Sequence, residues 1–183
     1  MTIIGITGTL GAGKGTVVAY LKERGFAHVS ASDLLADEAE RHGFGRDRHA
    51  RARMANLFRS ERPTKLMELL FERAVESDQE RVIIEALHTK GEVEFVRSHG
   101  AVILAVDADL ATRYERIHSR GSEKDQVSFE EFKDHQEKEL FNEDTNVNNL
   151  GDAIAAADHH LTNNGSLDEL HAQIDAVLAE IGL

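Results

Sequence analysis

The sequence predicts an α/β fold in three layers, a parallel sheet with helices on both faces. Short apolar runs rich in β-branched residues alternate with longer segments of helical periodicity, the trace that parallel strands joined by crossover helices leave in a sequence. The first of these runs ends in a cluster of glycines that opens directly into a helix. The 183 residues are read as one domain, 1–183, since a domain takes roughly 100–200 residues.

Thr2–Thr7 reads Thr-Ile-Ile-Gly-Ile-Thr and stops at Gly8, as a short buried strand does. Val17, Val18 and Leu21 then recur at near-helical spacing up to Gly25, a helix stop. Further strands are expected at Ala27–Ser30, Arg81–Ala86, Ala101–Val106 and Asp158–Thr162. Leu66, Leu70 and Ala74, beside Met67, Phe71 and Val75, form adjacent stripes of a helix after Pro63, a residue suited to a helix start. The helix from Phe129 to Phe141, rich in Glu and Lys, reads as solvated scaffold, and Asn142–Asn149 as a loop. In the last helix Leu167, Leu170, Ile174, Val177, Leu178 and Ile181 share a face, with a capping box of Ser166 and Glu169 at its start.

Composition narrows the function classes. Acidic side chains number 33 against 21 basic, a formal net charge of −12, which argues against a chain that coats nucleic acid. No cysteine is present, so disulfides, thiolate zinc sites and cysteine nucleophiles are excluded together. His159 and His160 are adjacent in a strand and point to opposite faces, and no zinc site is expected. No apolar run approaches the ~20 residues of a membrane span. The expectation is a soluble, cytoplasmic protein, monomer or homodimer, with no nucleic-acid or membrane partner.

The most informative stretch is Gly8-Thr9-Leu10-Gly11-Ala12-Gly13-Lys14-Gly15-Thr16. It follows a strand and opens a helix, the context of a phosphate-binding loop (P-loop). Glycines let backbone N–H groups curl around phosphate oxygens, and the helix start adds its partial positive charge. Lys14 reaches the β- and γ-phosphates and follows charge as it builds in transfer. A dinucleotide fingerprint would need a third glycine where Thr16 stands. The strict pattern has Ser or Thr directly after the lysine as a magnesium ligand. Here that residue is Gly15, so Thr16 contacts a phosphate or reaches the ion through water.

The Gly-Lys-Gly-Thr ending resembles adenylate kinases and their nucleoside monophosphate kinase relatives. Ser30-Ala-Ser-Asp33-Leu-Leu35 is similar to their acceptor-site segment, and Arg116-Ile-His-Ser-Arg120 to the Arg-x-x-x-Arg before their lid. An archaeal family described as dephospho-CoA-kinase-like is closer still. It shares the Gly5-Ile-Thr-Gly8 opening, Glu92-Val-Glu94, Ala157-Asp158 and Asn163-Asn-Gly-Ser166. The resemblance implies a P-loop NTPase fold with five parallel strands in the order 2-3-1-4-5. It implies transfer of the γ-phosphoryl group of ATP, with Mg²⁺, to a small phosphorylated acceptor, first a nucleoside or deoxynucleoside monophosphate. Phosphorylation of the ribose 3′-hydroxyl of dephospho-CoA is the alternative, and a regulatory P-loop NTPase without a small acceptor is a third.

On the same resemblance Arg116 stacks on the nucleotide base, Arg120 bonds the transferring phosphates, Asn163 joins the ATP site, and residues of about 120–128 form a short lid. The acceptor-binding segment is about 33–78. Six of the 14 arginines fall in it between Arg46 and Arg62, and Arg59, then Arg51 and Arg53, are the candidates for acceptor contact. Arg113, Arg116 and Arg120 are spaced to share one helical stripe. Asp33 orders the acceptor or takes its proton, or else caps a helix beginning near Leu34. His88 stands where relatives carry an arginine and is either a pH-dependent donor or a surface histidine. For the water shell of magnesium, Glu85 is preferred over Asp107, each at the end of a strand.

Overall fold

The computed structural model describes residues 1–120, 127–141 and 149–183. The lid expected at about 120–128 and the loop expected at Asn142–Asn149 lie mostly outside the described residues. The elements run β1 (Thr2–Gly8), α1 (Lys14–Glu23), β2 (Ala27–Val29), α2 (Ala31–Arg41), α3 (Arg48–Glu61), α4 (Lys65–Glu76), β3 (Arg81–Glu85), α5 (Lys90–Ser98), β4 (Ala101–Asp107), α6 (Leu110–Ser119), α7 (Phe129–Leu140), α8 (Leu150–Ala155), β5 (His159–Thr162) and α9 (Leu167–Glu180).

The five strands are all parallel and lie in the order β2-β3-β1-β4-β5, as expected. β1 sits at the centre, with Ile3–Ile6 opposite Val82–Glu85 of β3 and Ile3–Gly8 opposite Ala101–Val106 of β4. Alternation sorts its side chains. Ile4 and Ile6 face α1 and α9, packing with Val17, Leu21, Leu170 and Ile174. Ile3, with Val82, Ile84 and Ile103, faces α4, α5 and α8 through Met67, Leu70, Val93, Val96 and Ala153. A third, smaller cluster of Ala39, Ala50, Met54 and Phe58 joins α2 to α3, with Leu66 and Leu69 of α4 packed against it.

Several boundaries move for local reasons. Ser30 leaves β2 because its hydroxyl accepts the Asp33 amide at 3.1 Å and caps α2. Asp33 is therefore the third residue of that helix, not the cap of one beginning at Leu34. Asp158 precedes β5, its carboxylate accepting the Ile103 amide at 2.8 Å. Ala86 follows β3 with a φ of 68°, in the left-handed region, and turns the chain toward the site. Val75 and Leu167, expected on buried stripes, stand 53% and 58% exposed because each lies at the end of its helix, beyond the packed face. No described helix is long and apolar enough to cross a membrane.

Candidate functional site

The site forms at the carboxyl ends of β1, β3 and β4, where the order of connections reverses about the central strand. The loop Gly8–Gly13 leaves β1 here and feeds α1. Gly8, Gly11 and Gly13 have φ of 135°, 83° and 103°, a conformation that L side chains rarely adopt. Gly13 also has no room for a Cβ, which would collide with the Asn163 amide. That amide donates to the Ala12 carbonyl at 2.8 Å, tying the loop to the end of β5. The Thr9 hydroxyl of the loop donates to Asp107, the last residue of β4, at 2.5 Å. Asp107 thus anchors the loop from β4.

Gly15 differs from its neighbours. It lies on α1 with helical backbone, and a Cβ there would meet nothing within 4 Å. Gly15→Ala is expected to raise stability by about 0.5–1 kcal/mol through helix propensity, read as a higher urea midpoint. A fall in the midpoint would show a steric demand on Gly15 in the folded chain.

Lys14 folds back over the loop, donating to the Gly8 carbonyl at 2.6 Å and the Thr9 carbonyl at 2.9 Å. Burial lowers its pKa, opposed by the charges of Glu85 and Glu139. Glu85 ends β3 and lies 3.1 Å from His28 Nε2 of β2, and that contact holds its carboxyl below the ordinary value. Of the two strand-end acids, Glu85 is the one whose charge acts on Lys14.

Two hollows flank the loop. A cleft of about 360 Å³ is lined by Gly11, Gly13, Thr16, Arg116, Arg120 and Asn163, with Gly165 and Leu167 at its rim. Its volume is in the range that takes a nucleotide-sized ligand, roughly 300–1,000 Å³. Arg116 holds Asn163 Oδ1 at 3.5 Å through Nη2, and its Nη1 is buried without a hydrogen-bond partner among the described residues. The second hollow, about 120 Å³, is lined by Gly8, Leu10, Lys14, His88, Glu139 and Leu150.

His88 belongs to this cavity and is not a surface histidine. Burial, then the charges of Lys14 and Arg59, lower its pKa to about 4. The change of charge of the ring therefore falls well below neutral pH, and near neutrality it keeps the single N–H of a neutral imidazole. Its backbone amide is held by Glu92, a buried carboxylate that accepts from His88 N at 2.7 Å and Thr89 N at 3.0 Å and completes the capping box of α5. Burial raises the Glu92 pKa.

The arginine segment does not gather at one point. Arg46 pairs with Asp37 and Glu40, and Arg62 with Glu68. The Arg53 guanidinium lies 3.8 Å over the Phe44 ring. Arg51 donates to the Ser32 hydroxyl at 2.6 Å and Arg59 to Asn56 at 3.1 Å. Arg59 is close enough to His88 for its charge to act there. Asp33 is exposed on α2.

Two expectations are sharpened. Arg113, three and seven residues before Arg116 and Arg120, keeps their helical stripe but does not line the cleft with them. It sits on the first turn of α6, where the phosphate loop and α7 cover it, and donates to the Ala108 carbonyl at 2.8 Å. Helix α7 is not simply solvated scaffold, since it buries Phe132 and Gln136 and brings Glu139 to the Lys14 cavity. The sequence did hold a signal. Gln136 stands four residues after Phe132 and four before Leu140, a polar residue on an apolar stripe.

Comparisons agree with this architecture. The chain is 30% identical to the UPF0200 protein of Methanothermobacter thermautotrophicus over 183 residues, covering 99% of this chain and 91% of that one. It is likewise 30% identical to the UPF0200 protein of Thermococcus kodakarensis, covering 98% and 97%. Among solved structures it superposes on a Thermus thermophilus protein with a TM-score of 0.64 at 26% identity, over 100% and 98% of the two chains. Shikimate kinase from Bacteroides thetaiotaomicron gives 0.59 at 15% identity, covering 100% and 99%. Dephospho-CoA kinase from Campylobacter jejuni gives 0.54 at 15%, covering 99% and 98%. The model of one family, described as AAA domain, spans residues 4–142, from β1 and its phosphate loop through α7. The chain therefore belongs to the AAA domain family, with a P-loop kinase-like fold and archaeal UPF0200 proteins among its relatives.

Proposed function

We propose that this chain is a phosphotransferase that moves the γ-phosphoryl group of ATP to a small phosphorylated acceptor. The observation that carries the reading is the two-sided site. Gly13 and Thr16 line a cleft of nucleotide size, while Lys14 between them lines a separate small cavity. A regulatory module that only binds nucleotide needs the cleft and not the cavity.

In this reading the donor phosphates lie along Gly8–Thr16, where backbone N–H groups and the start of α1 favour anions. Arg116 and Asn163 flank the rest of the nucleotide, and the unpartnered Nη1 of Arg116 is a donor ready for it. Lys14, Arg116 and Arg120 neutralise charge that grows during transfer. Glu85 and Thr16 offer the oxygen donors that suit Mg²⁺, through water, since this ion keeps most of its hydration. When bound with ATP, the ion neutralises phosphate charge.

Two acceptor classes have support. Arg51 and Arg59, neither paired with an acid among the described contacts, suit the phosphate of a nucleoside or deoxynucleoside monophosphate. A reacting hydroxyl, as in the ribose of dephospho-CoA, is favoured by the cavity itself, which among the described residues is lined by a carboxylate and no arginine. The test is an ADP-release assay with ATP or GTP against ribo- and deoxynucleoside monophosphates and dephospho-CoA. Acceptor-dependent release is expected, and hydrolysis that stays constant across the panel would reject transfer. Arg59→Ala is expected to raise the acceptor KM by ~10–100-fold with the ATP KM unchanged, the worth of one charged hydrogen bond. An unchanged acceptor KM would return Arg59 to a solvated helix face.

A further inference from the structure

One buried polar network has no part in the roles given so far. Arg113 is 5% exposed, and its Nη1 donates both to the Leu10 carbonyl of the phosphate loop at 3.4 Å and to Gln136 Oε1 of α7. Gln136, 2% exposed, passes the contact on, its Nε2 donating to Glu139 Oε2 at 2.9 Å. Glu139 is exposed on α7, and it lines the cavity that holds Lys14. A carboxylate at the cavity is thus anchored through two buried side chains to the loop beneath it. Such support restricts a side chain that would otherwise sample many rotamers, and it is what a group needing a fixed position requires.

The cavity's chemistry says what that carboxylate faces. Leu10 and Leu150 supply apolar walls, His88 is neutral, and Lys14 is the cation among the lining residues. At about 120 Å³ the cavity is a third the size of the cleft, and Lys14 lines it. A carboxylate repels an incoming phosphate at short range, yet accepts a hydrogen bond from a hydroxyl. Asp33, named from the sequence for the proton of a hydroxyl acceptor, is not among the residues lining the cavity.

Building on the phosphotransferase reading, we propose that Glu139 is a catalytic residue that takes the proton of a reacting acceptor hydroxyl, and that Gln136 is its positioning residue. In the step, the hydroxyl oxygen bonds to the γ-phosphorus and the bond from that phosphorus to the β–γ bridging oxygen breaks. ADP leaves with the electron pair of the broken bond, and the hydroxyl proton passes to the Glu139 carboxylate. The acceptor is then a molecule that reacts through a hydroxyl and carries its own phosphate elsewhere, within reach of Arg59.

The experiment compares wild type, Glu139→Gln, Gln136→Met and Asp33→Asn at saturating ATP, using dephospho-CoA and other hydroxyl acceptors alongside nucleoside monophosphates. Calorimetric titration with ATP is the second readout. Glu139→Gln is expected to lower kcat by ~10²-fold or more, with the acceptor KM and ATP affinity nearly unchanged, as for a group acting only in the transition state. Gln136→Met should lower kcat about tenfold and leave ATP affinity unchanged, a split that general loosening of the fold would not produce. Asp33→Asn should act mainly on the acceptor KM. An unchanged kcat in Glu139→Gln, a larger kcat loss in Asp33→Asn, or transfer by wild type to monophosphates alone would overturn the proposal while leaving phosphotransfer in place. Acceptor-independent hydrolysis by wild type would overturn both.

Discussion

Lys14→Ala is expected to reduce phosphoryl transfer by ~10³-fold or more, because it removes the cation that lines the cavity and follows the developing charge. The geometry of Lys14 explains why the loss falls on rate more than on folding. The ammonium group is parked on the Gly8 and Thr9 carbonyls, acceptors that donor phosphates would replace. Deleting it removes two hydrogen bonds of about 1 kcal/mol each, a cost a domain of this size survives. The check is steady-state ADP release beside a thermal melt. Full activity in a folded Lys14→Ala protein would remove the phosphate loop from the reaction.

Gly8→Ala should act oppositely, on the fold before the chemistry. Gly8 has a φ of 135°, and an added Cβ would overlap the Val106 carbonyl oxygen and lie 2.8 Å from the Val106 nitrogen. Those are backbone atoms of β4, and Gly8 opposite Val106 is the last pair of the β1–β4 register. Relief therefore requires strand movement instead of a rotamer change. Backbone strain of ~1–3 kcal/mol adds to an overpacking cost of similar size, so a loss of about 3 kcal/mol or more is expected. Urea denaturation measures it, and a loss under about 1 kcal/mol would contradict the geometry. The contrast with Gly15→Ala is the informative part, since one loop glycine is demanded by space and the other is not.

The parts of the site that were legible in the sequence are those with local causes. A β-branched run ending in glycines and a lysine is a short-range pattern, and Gly8, Gly11 and Gly13 all carry positive φ. The capping box of Ser166 and Glu169 is present for the same reason. The missed features depend on what packs against what. Arg113 has the spacing of an exposed stripe, yet the loop and α7 cover it. Glu139 reads as one more acid on a charged helix until α7 is laid against α6. His28 has no sequence signal linking it to Glu85, because that pair exists only through the β2–β3 register. Asp33 has the composition of a cap, but α2 begins at Ala31 and the Ser30 hydroxyl caps it.

By itself, then, the sequence determined the alternation of strands and helices, the phosphate loop and the capping box of the last helix. Each follows from side-chain period, glycine conformation or helix-end hydrogen bonding within a few residues. The strand order was expected through resemblance and not through periodicity, which carries no information on neighbours. Only the tertiary structure decided which charges meet. It pairs Arg46 and Arg62 with acids, buries Arg113 under the loop, neutralises His88 and brings Glu139 to the cavity beside Lys14. The physical reason is that electrostatics and burial depend on distance in space, and a linear chain of charges does not specify it.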